Sequence, residues 1–432
     1  MFENVLGQAA ALSLAADFAA GRLPRSILFA GPPASGKGSA ALELARVVSC
    51  TGRAAWDCAC PDCALHRQLL HSDLLMMGSR SFAGELAASA AAYKREPGSA
   101  ARTLFLRAVR KLTGRFNAAL WEGEETKLNK LAPLLSALDE TMDGLERAAP
   151  ADPAALAKEI DSAVQAAWKL EAEGIADSVS VGQVRRASFW LRLSPAGRRK
   201  VLLIEQADRM QDGARNALLK ILEEPPETAL IILATTRRSS LLPTVQSRLR
   251  PYLFAARSAE SESQVLRRVF RDPEAAASGM SVAAYLDARL PVSSAGLRTA
   301  AAAFAAAAAA AGRLGSDAEA RAGIRKAADA ALAAGADGAA DRKPASAQRG
   351  AVARAMAETG KFEPRSQFGR FLAELLVLAA EPLRSGAGGP EAVALAGRWR
   401  EAVGRADLAV AAFNQAPAAA LERLFAELAA PR

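Results

Sequence analysis

The rhythm of apolar and polar positions changes along the chain. Near the N-terminus, helical spacing from Gln8 to Ala20 gives way to an apolar run at Ser26–Ala30, a Gly/Pro loop, and a second helix from about Gly38 to Val48. Another apolar run covers Asp73–Met77. Continuous short runs bounded by turn residues predict buried strands, whereas steps of three and four predict one face of a helix. From about Ser79 to Gly174 the period is helical throughout. Phe105, Val109, Leu112, Phe116 and Leu120 form one stripe, Leu131, Leu135, Leu138, Met142 and Leu145 a second, and Leu156, Ile160 and Val164 a third. Two or three amphipathic helices follow, with breaks expected at Gly114, Pro133 and 149–153.

Strand character then returns at Val201–Ile204 and Ile231–Ala234, separated by a helix from about Asp212 to Leu222. After Tyr252 the pattern is helical to the end, with Ala/Gly/Ser-rich linkers expected at 312–316 and 335–346. The spacing within Phe368–Ala379 and Val393–Leu428 suits a helical bundle. The fold class this predicts is α/β, interrupted by a helical insertion at about 79–174 and followed by all-α segments. A length of 432 residues fits about three domains.

Composition adds little to this division. Apolar residues make up 51%, and much of that is Ala, the strongest helix former; aromatics are only 5%. The net charge of +9 comes mostly from Arg and is compatible with nucleic acid or simply with a solvated basic surface. The N-terminus lacks a basic stretch followed by an apolar core, and the Ala305–Ala311 run is too short to span a bilayer. A cytoplasmic protein without a membrane partner is expected.

Chemistry enters at Gly31-Pro-Pro-Ala-Ser-Gly36-Lys37-Gly38-Ser39, between a strand and a helix. In such a P-loop, glycines let backbone N–H groups close round phosphates, and Lys37 reaches the outer ones. Gly38 stands where a Mg²⁺-ligating hydroxyl is usual, and Ser39 comes one residue late. A Walker-B strand normally ends in Asp then Glu; here Val201–Ile204 leads to Glu205-Gln206-Ala-Asp208. Gln206 is neutral and cannot act as a general base, so hydrolysis at this chain's own site is not expected, although ATP or ADP binding is. Thr236, beyond the third strand, is a candidate γ-phosphate sensor. Arg248, in Ser247-Arg248, is either an arginine finger for a neighbouring subunit's site or an ordinary surface salt bridge.

All four cysteines, Cys50, Cys58, Cys60 and Cys63, fall within fourteen positions. Four thiolates so close suit a closed structural Zn²⁺ site, with His66 a candidate replacement for one of them because the Cys-x-Cys step is tight.

The order of these motifs resembles bacterial DNA polymerase III clamp-loader subunits. Val5-Leu-Gly-Gln8, Leu23–Phe29 running into the P-loop, the cysteines and His71-Ser-Asp-Leu74 come first. Asn216-Ala-Leu-Leu-Lys-Ile-Leu-Glu-Glu-Pro-Pro226, Leu233-Ala-Thr-Thr236 and Ser247-Arg248 follow in the family's order. The tail from Phe413 to Phe425 is similar to the family's last collar helix. The resemblance implies an AAA+ domain at 1–255, with the zinc module at 50–63, a helical lid at 256–312 and a collar at 313–432. It implies tau/gamma and delta subunits, the sliding clamp and primer-template DNA as partners, within a DNA polymerase holoenzyme. Ser294–Arg298 resembles the lid's sensor-2 segment, making Arg298 a candidate nucleotide contact. Within this family Gly38 and Gln206 fit the delta-prime type, whose site is degenerate and whose arginine, here Arg248, serves a neighbour. A tau/gamma-type ATPase is the nearest alternative. Gly-Lys-Gly-Ser also resembles adenylate-kinase P-loops, and a scaffold that binds no nucleotide remains a third reading.

Overall fold

The computed structural model describes residues 1–147, 152–176, 178–290, 294–311, 317–334, 350–351, 353–355, 364–384, 389–411 and 415–430. It divides into two compact units, Met1–Leu286 and Asp287–Arg432. The expected linkers at 312–316 and 335–346 lie outside the described residues, as do most of the 149–153 break and the start of the 413–425 tail.

The first unit is built on a five-stranded sheet, ordered β2-β3-β4-β1-β5, with every pair parallel. Its strands are β1 (Ser26–Ala30), β2 (Leu74–Gly78), β3 (Lys200–Glu205), β4 (Ala229–Thr235) and β5 (Arg250–Leu253). A parallel sheet needs cover on two faces, which is why β1, β3 and β4 are buried along their whole length. Alternate residues point to opposite sides. Ile27, Phe29, Val201, Leu203 and Ile232 pack with α1 (Ala9–Ala19) and α2 (Lys37–Ser49). Leu28, Met77, Leu202, Ile204 and Leu233 face the other way, toward the insertion.

The edge strand β5 was not foreseen. Only Tyr252 of its four residues is buried, so it carries no apolar run, and Pro251 is tolerated because an edge strand can spare an N–H. The cysteine region contains a short helix, α3 (Pro61–Gln68).

The insertion supplies α4 (Ala83–Arg95), α5 (Ser99–Thr113), the short α6 (Ala118–Trp121), α7 (Glu125–Arg147) and α8 (Pro153–Gly174). The expected stripes form its core, including Phe105, Val109, Leu112, Leu138, Met142, Leu145 and Ile160. The break at Gly114 takes the form of a 3₁₀ turn, Gly114–Phe116. At Pro133 no break occurs; α7 runs through it. Pro133 lies on the exposed side, where water can take the carbonyl it frees, while Leu131, Leu138 and Leu145 pin the buried side. Helix α9 (Val181–Arg192) then opens on a Ser180/Gln183 capping box and leads into β3. Helix α10 (Asp212–Glu223) joins β3 to β4.

The second unit is helical throughout its described residues. Ser294–Ala311, Ala318–Ala334, Pro364–Arg384, Pro390–Ala411 and Pro417–Ala429 surround Phe304, Phe371, Leu375, Trp399, Leu421 and Leu424. Ser294–Ala311 is long and apolar enough to cross a membrane, but Leu297, Ala301, Phe304, Ala305 and Ala308 bury one side in this core. It is thus a core helix.

Candidate functional site

The P-loop sits where β1 ends and α2 begins. Ala34 (φ +56°) and Gly36 (φ +94°) place two left-handed residues in the loop. A Cβ at Gly36 would lie 2.7 Å from the Arg257 guanidinium, so a larger residue there would collide as well as strain the backbone. Arg257 braces the loop by donating to Ala34 O (3.1 Å) and to Leu6 O. Lys37 folds back over it, donating to Gly31 O (2.7 Å), Pro32 O (2.5 Å) and Ser35 Oγ (3.2 Å). Burial, together with Arg80, pushes the Lys37 ammonium down to about 8, against the opposing pull of Glu205 and Asp208. Ser39 is exposed.

Glu205 closes β3 beside this loop, and both of its oxygens are taken. Arg80 donates to Oε1 at 3.1 Å, and Arg115 pairs with Oε2. Arg80 also pairs with Glu85, which Lys111 holds from the other side. Burial pushes the Glu205 carboxyl up, but Arg80, Arg115 and Lys111 outweigh it and hold it below its usual range. Burial would likewise raise Glu85, yet Lys111 and Arg80 bring it down to about 2. A Cβ on Gly38 would stand 3.1 Å from Glu205 Oε1 and 3.6 Å from Arg80 Nη1. Mg²⁺ needs near-octahedral oxygens at about 2.0–2.1 Å. With the hydroxyl absent and the carboxylate engaged by two guanidiniums, these residues do not fit it.

Gln206 adopts a left-handed conformation (φ +50°) and accepts a long bond from Ser79 Oγ, 3.4 Å. Asp208 accepts from Thr235 Oγ1 at 2.6 Å. The buried polar residue at the tip of β4 is therefore Thr235, while Thr236 lies one residue beyond and is exposed. Arg248 donates to Thr244 O (2.7 Å) and Glu223 Oε1 (2.6 Å) at a partly exposed edge. Arg298 belongs to the second unit, where its Nε donates to Glu374.

The sulfurs of Cys50, Cys58, Cys60 and Cys63 lie within 4.8 Å of one another. A tetrahedral Zn²⁺ with Zn–S of about 2.3 Å asks for sulfurs roughly 3.8 Å apart, so the cluster fits after a small contraction. Its surroundings favour the Cys58 and Cys60 thiolates, whereas burial pushes the Cys63 thiol up. Gly52 and Ala54 amides donate to Cys50 Sγ, and the buried Arg46 donates to Cys63 Sγ at 3.0 Å. The Cys58 thiol is held down by the Cys60 amide, and Cys60 is brought to about 5 against burial by the Cys63 amide and Thr51. His66 is outside this set. It stacks on His71 at 4.1 Å, and burial pushes it down to about 3, leaving a neutral ring. Arg46 is itself paired with Glu43 on α2, so one helix carries the P-loop at its start and braces the cysteines at its end.

A family model described as "DNA polymerase III, delta subunit" matches residues 7–258, more than half of the chain. The chain belongs to that family. Its relatives include a DNA polymerase III subunit delta' of Pseudomonas aeruginosa, 42% identical over 80 residues, which is 18% of this chain and 24% of that protein. A gamma/tau subunit of Mycobacterium tuberculosis is 38% identical over 72 residues, 17% of this chain and 12% of that one. A tau subunit of Bacillus subtilis is 46% identical over 55 residues, 13% and 10%. The matched stretches thus span a quarter or less of each relative. Among solved structures, a DNA polymerase III gamma-subunit-related protein of Thermotoga maritima aligns over 59% of this chain and 80% of its own, at 18% identity and a TM-score of 0.25.

In this family member Gly38 and Glu205 lie side by side at the start of α2. Arg80, Glu85, Lys111 and Arg115, all from the insertion, join them without having been foreseen. Two signals were available. Arg80 follows the C-terminal end of β2, the end of a parallel strand that borders the ligand crevice. Lys111 and Arg115 are four apart beside the Phe105–Phe116 apolar stripe, where a charge cannot be fully solvated.

Proposed function

We propose that this chain is a delta-prime-type subunit of a DNA polymerase III clamp loader. In this role it does not hydrolyse ATP itself and instead lends Arg248 to the ATP site of a neighbouring tau/gamma subunit. The observation that carries the reading is the double engagement of Glu205 by Arg80 and Arg115 beside a hydroxyl-free Gly38. That arrangement takes the strand-end carboxylate out of metal binding, and Asp208, the other acid near Lys37, is turned to Thr235 through Oδ1. Arg248 supplies a fixed positive charge at a partly exposed edge, and such a charge stabilises phosphoryl-transfer transition states in trans. Together with delta and tau/gamma partners, the chain would help to place the sliding clamp on primer-template DNA. The four cysteines hold a structural Zn²⁺, and that ion has no part in the chemistry.

The test is reconstitution with tau/gamma and delta subunits, reading DNA-stimulated ATPase and clamp loading. Arg248→Ala should lower ATPase by about 10³-fold at the one site it serves while the complex still assembles. Unchanged ATPase would overturn the finger assignment, and ATP hydrolysis by the isolated chain that disappears in Lys37→Ala would favour the tau/gamma reading.

A further inference from the structure

We infer that the P-loop of this chain accepts a polyphosphate without a divalent cation, with the Arg80 guanidinium in the metal's place. The inference rests on the P-loop reading above but not on the role of Arg248.

The position a metal-ligating hydroxyl would occupy is bordered by Glu205 Oε1 and Arg80 Nη1, 3.1 and 3.6 Å from a Cβ on residue 38. A guanidinium there supplies the positive charge that a metal would bring to the phosphates, through N–H donors instead of coordination bonds. Arg80 has five N–H donors, and its recorded partners are one oxygen each of Glu205 and Glu85. Its side chain is 27% exposed, so the guanidinium is not sealed off from solvent. Arg115 is buried to within 2% and fixes the other oxygen of Glu205, while its Nε and Nη1 have no acceptor among the described residues.

The charges agree. Lys37, Arg80, Lys111, Arg115 and Arg257 lie around the loop, against Glu205, Glu85, Asp208 and Glu262. A further divalent cation would add to a cationic excess, whereas phosphate oxygens would relieve it. The amides at the start of α2 add their partial charge in the same sense. Arg80 stands at the root of the insertion and Arg115 in the 3₁₀ turn after α5, so the insertion is what converts a metal site into a cation-lined phosphate site.

The experiment is titration of the isolated full-length chain with ATP by calorimetry, once with Mg²⁺ and once with EDTA. The expected result is saturable binding in EDTA, tightened less than about threefold by Mg²⁺. Tightening of threefold or more, or no saturable binding in EDTA, overturns the inference. Arg80→Ala should weaken binding in EDTA about tenfold, and Arg80→Lys should restore most of it, with thermal unfolding followed to confirm that each variant folds. Wild-type affinity in Arg80→Ala would overturn the part assigned to Arg80. A lost ATP site with intact Arg248-dependent ATPase in the assembled complex would sink this inference alone.

Discussion

A serine at position 38 would have to share its space with the Glu205–Arg80 pair. Its Cβ would stand 3.1 Å from Glu205 Oε1, closer than most real contacts, so one of the pair must give way. Gly38→Ser should therefore cost about 1–3 kcal/mol by overpacking and should not create Mg²⁺-dependent ATPase. Chemical denaturation and a phosphate-release assay check the two halves, and a gain of metal-dependent turnover would show that the carboxylate is free to take a metal. Lys37 gives a pH signature. Its ammonium lies near 8 in the folded chain against 10.5 when free, so the unfolded chain binds more protons between those values. The penalty is fully present below pH 8 and is relieved as pH rises toward 10.5. Stability of the native chain should thus rise across that window relative to Lys37→Met, by up to about 3 kcal/mol. Urea unfolding at pH 7.5 and at pH 10 measures it; parallel curves for the two proteins would mean that Lys37 is not desolvated. The motif itself was legible because its residues are contiguous. Arg80 and Arg115 offered only positional signals, a strand end and an apolar stripe, since their partner Glu205 lies 125 and 90 positions away and only the fold pairs them with it.

At the scale of elements, local period sufficed wherever a segment buries one continuous side. The insertion stripes and the long strands satisfy that condition, as do the helices of the second unit. It failed for β5, whose four residues are mostly exposed and are held by β1 and by the Tyr252–Asp17 bond to α1. It also failed at Pro133, where packing along one side of α7 overrides a local breaker. The cysteine module has little apolar support of its own, since its buried cluster is Val47, Ala54 and three of the cysteines, with Met1 and Phe18 against it, so the proposed ion would carry much of its stability. The purified chain should carry one Zn²⁺ by elemental analysis. Cys63→Ser should lose it and lower Tm by on the order of 5 °C, since only three sulfurs would remain to hold the ion. Acidification should release the ion as the thiolates take up protons. A metal-free wild-type chain with unchanged Tm in Cys63→Ser would remove zinc from the account.

At the scale of the whole molecule, the proposed role in an assembly depends on a residue already committed within the chain. Arg248 is held by Glu223, which belongs to the Leu-Glu-Glu-Pro-Pro segment at the end of α10. The pair is one-third and one-half exposed, and such surface ion pairs are worth about 0–1 kcal/mol. Releasing Arg248 to a neighbour's phosphates therefore costs at most a factor of about five in the population of free finger. That is small beside the 10³-fold or more that an arginine finger contributes. Glu223→Gln removes the competing charge but keeps the shape, so the assembled complex should show ATPase equal to wild type or raised by up to about fivefold. Arg248→Ala should lower it, and the double variant should behave like Arg248→Ala, because the glutamate acts only through the arginine. If Glu223→Gln alone abolished ATPase as Arg248→Ala does, the carboxylate would be aiming the guanidinium instead of competing for it. Comparing the three variants at the same low ionic strength separates these outcomes, since screening weakens the Glu223 contact as salt rises.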